Sequence, residues 1–343
     1  MPTTLISTIR PVMFSSELDV VQMSTTESPV TVAVTNGADD PVFETELYPL
    51  ASGSLTLFDV GKLVEDALGK NCSGTFKITA NGSTVCSMRV VKSAVTLSLN
   101  AAKWTEQRFL TSMTGERDTD MSRFETISCF NPDGDECAVE AVYLKEDGTL
   151  SRMVTVQIPP AEQSGDVWVF NASPAAFAAP ERGKLVRLRF AVGARTQSFR
   201  VLLDPPPSCR GFVFRNNFGC WETLYCSGDI SSDPQFSRQT AMINGRFEAY
   251  EVAETDRVTA STGVMRFGSE RLVRDFARSK QAYLLEKDGS RGERVVVTEC
   301  SVKDSNADDF NPQFSFTYRL AKSGASDLDG FKIFDDTFDD TYE

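Results

Sequence analysis

Apolar and polar residues alternate along this chain in short runs that turn residues interrupt, the period-two signature of half-buried strands. Residues 30–48 read VTVAV, TNGADD and PVFETELY. Residues 127–144 give ISCF, NPDGDE and CAVEAVYL, and residues 212–225 give FVF, RNNFG and CWETLY. Each is a strand, a polar turn with an Asn near its start and a Gly within it, and a second alternating strand.

The segments that follow repeat as well. SLTLF, DVGKLVEDALG and TFKITANGSTVCSMRVV follow the first pair; DVWVF, NASPAAFAAP and KLVRLRFAVGARTQSFRVLL follow the second; GVMRF, GSERLVRDFARSK and AYLLEKDGSRGERVVVTE follow the third. Each set reads as a strand, a short helix and a β-hairpin. Val60, Leu63, Val64, Ala67 and Leu68 have helical spacing, with Gly69 where a left-handed C-cap belongs. Ser173 suits an N-cap with Pro174 in the first turn, and Ser269 can cap a helix whose apolar face is Leu272, Val273, Phe276 and Ala277. Asn81-Gly82, Gly193 and Asp288-Gly289 supply tight hairpin connections.

This recurring order predicts a mainly β chain of three tandem Ig-like β-sandwich modules of roughly seven strands, each with one short helix. The module limits fall at 1–94, 95–206 and 207–324, and Pro205-Pro206-Pro207 marks a semi-rigid link at the second boundary. In this scheme residues 212–228 are a hairpin, with Trp221, Thr223 and Tyr225 on one face and Cys220, Glu222, Leu224 and Cys226 on the other. In KLVRLRF, Val186, Leu188 and Phe190 point inward, which leaves Arg187 and Arg189 outward, with Arg182, Arg195 and Arg200 near in sequence.

Composition narrows the chemistry. The 343 residues are 41% hydrophobic and 24% charged, enough for ordinary globular cores. No stretch approaches the roughly 18 apolar residues of a membrane-spanning helix. MPTTLISTIRPVMFSS has neither a basic nor a continuous apolar region, so no secretory signal is expected and the eight cysteines are expected to stay reduced. The chain contains no histidine, which removes Ser-His-Asp and Cys-His catalysis and His-ligated zinc. A net charge of −13 argues against a nucleic-acid partner. No cofactor is expected. The metal alternatives are zinc on Cys209, Cys220, Cys226 and Cys300, without any C-x2-C pair, and calcium at Asp327, Asp329 and Gly330, without the full loop.

The last residues, 325–343 (ASDLDGFKIFDDTFDDTYE), carry seven acids and one lysine. One reading is a solvated tail. The other is a docking peptide in which Phe334, Phe338 and Tyr342 are anchors and Asp335, Asp336, Asp339 and Asp340 meet a basic surface. Arg187 and Arg189 offer such a surface, and a head-to-tail contact of this kind builds rings or filaments.

The stretch FRNNFGCWETLYCSG, the helix FGSERLVRDFARSK and the closing VVVTECSVKDSNADDFNPQFSFTYRLA resemble a domain of structural proteins of tailed bacteriophages, particularly those of gut Bacteroides-type hosts. The resemblance covers roughly residues 207–322; the earlier modules share it only through the repeat pattern. It implies a virion tail or tail-tip protein, assembled in the host cytoplasm, that packs with other tail proteins or with its own copies into rings.

The leading functional expectation is therefore a non-enzymatic structural and assembly protein of a phage tail, in the tip or baseplate region. The alternative is a carbohydrate-binding or receptor-binding adhesive β-sandwich, with Phe218, Trp221 and Trp168 stacking on sugars. A third reading, a two-carboxylate glycoside hydrolase using Glu222 and Asp275, competes with a plain surface position for both acids.

Overall fold

Alternation becomes hydrogen-bonded ladders. The computed structural model describes residues 3–113, 115–155, 157–206, 210–243, 246–266, 268–301 and 312–321, and the chain is mainly β with several sheets. It begins with β1 (Thr4–Leu5), β2 (Val12–Phe14), β3 (Val20–Ser24), β4 (Val30–Asn36), β5 (Pro41–Leu47), β6 (Ser54–Phe58), α1 (Val60–Leu68), β7 (Ser73–Ala80) and β8 (Ser83–Val91). These strands make two sheets, β1-β3-β6 and β2-β8-β7-β4-β5. Val21, Met23, Leu55 and Leu57 of the first meet Val32, Val34, Phe76, Ile78 and Val90 of the second. Val60, Val64 and Leu68 of α1 seal one end of this core, and Gly69 after it has a φ of +55°.

The next elements are α2 (Ala101–Gln107), β9 (Arg117–Thr119), β10 (Thr126–Phe130), β11 (Cys137–Leu144), β12 (Leu150–Thr155), β13 (Glu162–Ser164), β14 (Val167–Asn171), β15 (Lys184–Val192) and β16 (Arg195–Val201). Their sheets are β10-β14-β13 and β9-β16-β15-β11-β12. The larger sheet reproduces β2-β8-β7-β4-β5 strand for strand, including a parallel pair at one edge, β2–β8 in one and β9–β16 in the other. The pair β3–β6 recurs as β10–β14.

The remaining elements are β17 (Arg210–Arg215), β18 (Trp221–Cys226), β19 (Ile230–Ser232), β20 (Gln235–Ile243), β21 (Arg246–Thr255), β22 (Val258–Val264), α3 (Glu270–Arg278), β23 (Ala282–Leu285), β24 (Arg291–Ser301) and β25 (Gln313–Leu320). Here the run β18-β17-β23-β24 matches β5-β4-β7-β8, but the sheet continues through β25, β22 and β19 as one seven-stranded sheet. Two strands separate β17 from β25, a spacing of about 14 Å along a flat sheet. Yet the ring centroids of Phe212 on β17 and Phe316 and Tyr318 on β25 lie 5.3 and 5.2 Å apart. The sheet therefore folds over on itself around Phe276 of α3 and makes both walls of its core.

Several sequence expectations need correction. ISCF and CAVEAVYL are not a hairpin: β10 pairs with β14 and β11 with β12 and β15, so the NPDGDE turn carries the chain from one sheet to the other. The true counterpart of the β4–β5 hairpin is β11–β12, closed by a turn in which Asp147 accepts hydrogen bonds from Thr149. NASPAAFAAP forms two 3-10 turns, Pro174–Phe177 and Pro180–Arg182, in place of a helix. Pro180 has no amide N–H and its ring blocks the preceding turn. Ser173 and Ser269 precede their elements but make no side-chain cap; the Ser173 hydroxyl instead bonds to the main chain of Glu125. A register shift opposite Val142 moves Val186 off the core face, and Leu185 fills its place. Helix α2, capped by Asn100 accepting from the Lys103 amide, and the β20–β21 hairpin were not anticipated.

Gly61 stands inside a helix, where glycine is a poor choice. Its reason is tertiary: its amide donates to Leu18 O at 3.1 Å, and a Cβ there would overlap Ser15 O. Gly61→Ala is expected to lower stability by roughly 1–3 kcal/mol despite alanine's better helix propensity, which denaturant unfolding will measure. A stabilised variant would mean that α1 does not rest on the 15–18 segment.

Candidate interaction sites

The hairpin that opens the third sheet places its tip among the other two sets of sheets. Asn216 makes the turn: its Oδ1 accepts from the amides of Phe218 and Cys220 at 3.0 and 3.1 Å, and Gly219 follows with a φ of +73°. This aims Phe218 away from its own strands. The ring is fully buried, 5.7 Å from Phe14 of β2 and 5.6 Å from Trp104 of α2. Cys72, Val91, Leu110, Phe130, Val167 and Cys220 complete a core cluster drawn from all three regions.

Polar groups around the tip are also paired across regions. Asn216 Nδ2 donates to Leu110 O, and Asn217 O accepts from the Ala94 amide. Asn217 Nδ2 donates to Ser93 Oγ, whose own amide donates to Ser15 Oγ. Ser73 and Ser164 hydroxyls join the first and second regions by accepting from the Asp166 and Cys72 amides.

Beside the tip lies a buried triad. Arg117 Nη2 meets Glu125 at 3.1 Å, and its Nη1 meets Glu222 at 3.2 Å. Thr111 and Asn216 also donate to Glu222, and Thr223 donates to Glu125 while its carbonyl accepts from Arg117. Two carboxyls share one guanidinium. Burial pushes both carboxyls above their usual range, against the pull of Arg117. Glu125 Oε1 has no hydrogen-bond partner, whereas both oxygens of Glu222 accept one, so less opposes the effect of burial at Glu125.

The residues singled out in the sequence have distinct fates. Phe218 cannot stack on a sugar, because its ring is enclosed. Trp221 is half-buried, with the guanidinium groups of Arg215 and Arg291 over its ring at 4.0 and 4.3 Å. Trp168 packs on Phe170 and beside Gly134. Glu222 and Asp275 are buried and not on the surface, and Asp275 accepts from Ser112. Asp275 borders a cleft of about 370 Å³ whose cations are Lys70, Lys92, Arg215, Arg278 and Lys280; Glu222 does not line it.

Arg187 and Arg189 do face outward, at the edge of a depression of about 640 Å³. Arg187 is held by Glu116 at 2.6 Å, and Arg200 forks onto Asp118 with two 2.8 Å bonds. Arg195 turns in instead, donating to Thr105 O from a buried position. The face is thus largely neutralised by its own acids. Phe334, Asp335, Asp336, Phe338, Asp339, Asp340 and Tyr342 lie outside the described residues, as do Asp327, Asp329, Gly330 and Cys209. Among the described residues no three Cys, Asp or Glu side chains are grouped to hold a metal, and no helix is long and apolar enough to cross a membrane.

Among the described residues, the β20–β21 hairpin, with strands of 9 and 10 residues, forms a sheet of its own. At about 3.4 Å per residue this arm is roughly 30 Å long. Met242 pairs with Phe247, Arg238 with Val252 and Phe236 with Glu254. A bulge at Gln239/Thr240 reverses the parity of β21, so Phe236, Met242, Phe247 and Val252 all share one face. They are 57, 64, 76 and 56% exposed.

No protein-family model matches the chain, and no curated protein sequence matches it. Among solved structures it is similar to a tri-modular GH5 (subfamily 4) endo-β-1,4-glucanase from Bacillus licheniformis, at 6% identity and a TM-score of 0.19 over 59% of this chain and 38% of that one. It is also similar to a chain from a structure concerned with host cell surface retention of a 1.5-MDa bacterial ice-binding adhesin, at 11% identity and a TM-score of 0.16 over 73% of this chain and 88% of that one. The match to the glucanase therefore spans well under half of that enzyme's length.

Truncating the buried ring in Phe218→Ala is expected to cost about 3–5 kcal/mol, read from denaturant midpoints. A loss below roughly 1 kcal/mol would show that the junction is not held by this side chain.

The triad has a pH signature. Glu125 and Glu222 have raised folded pKa values, so their contribution is complete below the unfolded value of about 4.3 and is lost as pH rises through the folded values. Arg117→Met leaves both carboxyls without their cation and should cost about 3–5 kcal/mol at pH 7, less at pH 5. Glu125→Gln should flatten the dependence above the unfolded carboxyl value of about 4.3. An unchanged slope in that variant would place the pH dependence elsewhere.

Proposed function

We propose that this chain is a non-enzymatic structural protein of a bacteriophage tail, in the tip or baseplate region. In this reading it is assembled in the host cytoplasm and joins a multi-subunit ring in the virion. The tail assignment rests on the resemblance of residues 207–322; the assembly role rests on the arm. A lone two-stranded hairpin is marginal in water, and one that exposes four large apolar side chains on a single face needs a surface to cover it. Register gathers the arm's four large exposed apolar side chains on one face, where Arg238 and Glu254 stand among them, the mixed surface of an element that docks. Its occupant in this proposal is a neighbouring subunit of the same kind. A contact between the arm and a different surface of the next copy is heterologous, and such contacts close into rings or extend as filaments.

The distribution of polar chemistry supports the same reading. The buried acids are tied to Arg117, Ser112, Thr111 and Asn216, positions that hold regions of the chain together.

Replacing residues 235–255 by a short Gly-Ser link should leave the core folded, because the arm shares no sheet with it. Light scattering after size exclusion is expected to show self-association of the parent and a monomer for the shortened chain. The double variant Phe236→Ser/Phe247→Ser should weaken association at least tenfold, about 1.4 kcal/mol. Equal assembly of all three proteins would reject the arm as the contact.

A further inference from the structure

The cleft beside Asp275 gathers positive charge from two regions of the chain. Its volume of about 370 Å³ lies within the roughly 300–1,000 Å³ of small-molecule sites. Lys70 follows α1 and Lys92 follows β8, while Arg215 ends β17, Arg278 ends α3 and Lys280 lies just beyond. Among the described residues none of these five cations is in an ion pair. Arg187, Arg200 and Arg266, by contrast, each have Glu116 or Asp118 at 2.6–2.8 Å.

The three acids of the cleft are mostly engaged elsewhere. Glu65 accepts from Ser15 at 2.5 Å, and Asp275 accepts from Ser112 and from the Asn217 amide. Burial pushes the Asp275 pKa up, which favours its neutral form. Asp66 is the exposed acid of the three.

Two of the cations are held in place from opposite sides. Lys92 Nζ donates to Gly69 O at 2.5 Å, at the C-terminal end of α1. Arg215 lies 4.0 Å over the Trp221 ring, and its Nη1 donates to Gly219 O at 2.5 Å. An ammonium has three N–H donors and a guanidinium five, so these bonds leave donors for a ligand. Burial lowers the Lys92 pKa, and a bound anion would favour its charged form again.

We propose that this cleft binds a small polyanion with two or more phosphate groups, which ties the end of α1 to the third region's hairpin tip and the end of α3. The inference is independent of the arm and of the assembly reading. Cations around one opening repel each other and focus their field into it, so a ligand with several negative groups gains most there. Guanidinium groups fork onto phosphate oxygens, and lysines add point charges. The whole chain carries −13, so attraction for an anion has to come from the cleft itself.

The test is calorimetric titration of the full chain with sodium pyrophosphate in metal-free buffer at pH 7, beside sodium sulfate at equal ionic strength. Saturable one-to-one binding of pyrophosphate is expected, at least tenfold tighter than sulfate. At about 100 times its Kd, pyrophosphate should raise Tm by about 4 °C, because the ligand bridges two regions. Lys70 and Lys280 are exposed and their side chains make no bond among the described residues, so Lys70→Glu/Lys280→Glu should fold normally. That double variant should bind pyrophosphate at least tenfold more weakly. Lys184→Glu/Arg189→Glu, the same change of charge away from the cleft, should stay within about twofold of the parent. Equal losses in the two double variants, equal affinity for sulfate, or no saturable binding by the parent would overturn the proposal. The parent titration decides the matter even if a variant fails to fold.

Discussion

Everything around the centre of this molecule is arranged so that one phenylalanine can leave its own sheet. Phe218 sits at the tip of a hairpin, a place where exposed polar residues are usual, and its ring is completely enclosed by side chains from three regions. Burying a ring of this size is worth about 2–3 kcal/mol only if the polar groups beside it find partners. Asn216 and Asn217 meet that condition, bonding the turn to itself and to Leu110, Ser93 and Ala94. The tip is thus an apolar plug in a polar collar.

The triad beside it does a different job. Burying one guanidinium with two carboxyls costs desolvation that the ion pairs barely offset, so it is a weak source of stability. Its effect is geometric. Arg117 on β9, Glu125 before β10 and Glu222 on β18 meet only at one docking of the third sheet against the second, and any other angle strands a buried charge. We read the plug as holding the regions together and the triad as fixing their orientation.

Repetition explains much of the rest. One strand order serves twice in full and once in half, while the features that differ between regions lie where the repeat is broken. Helix α2 fills the space between the first two; the arm is inserted between β19 and β22; and the third sheet folds over because β25 takes the edge position that a parallel strand holds elsewhere. The conserved part of the plan builds cores, and the departures from it build contacts.

Period-two alternation was enough to read strands, turns and the recurrence of strand, crossing segment and hairpin, because which face a strand buries depends on neighbours two residues away. Asn81-Gly82 and Gly69 were legible for the same reason, their left-handed backbone being a local demand. Pairing was not. ISCF and CAVEAVYL look like a hairpin since a tight turn joins them, but whether two strands bond to each other or to others is settled by groups far away in sequence. Phe218 read as a loop aromatic, Glu222 and Asp275 as surface acids, and the arm escaped notice because its apolar residues align only once a bulge resets the register. Local spacing determined the elements; burial, partner choice and the meeting of distant side chains at the junction were decided by the tertiary structure, because desolvation depends on everything that surrounds a group and not on its place in the chain.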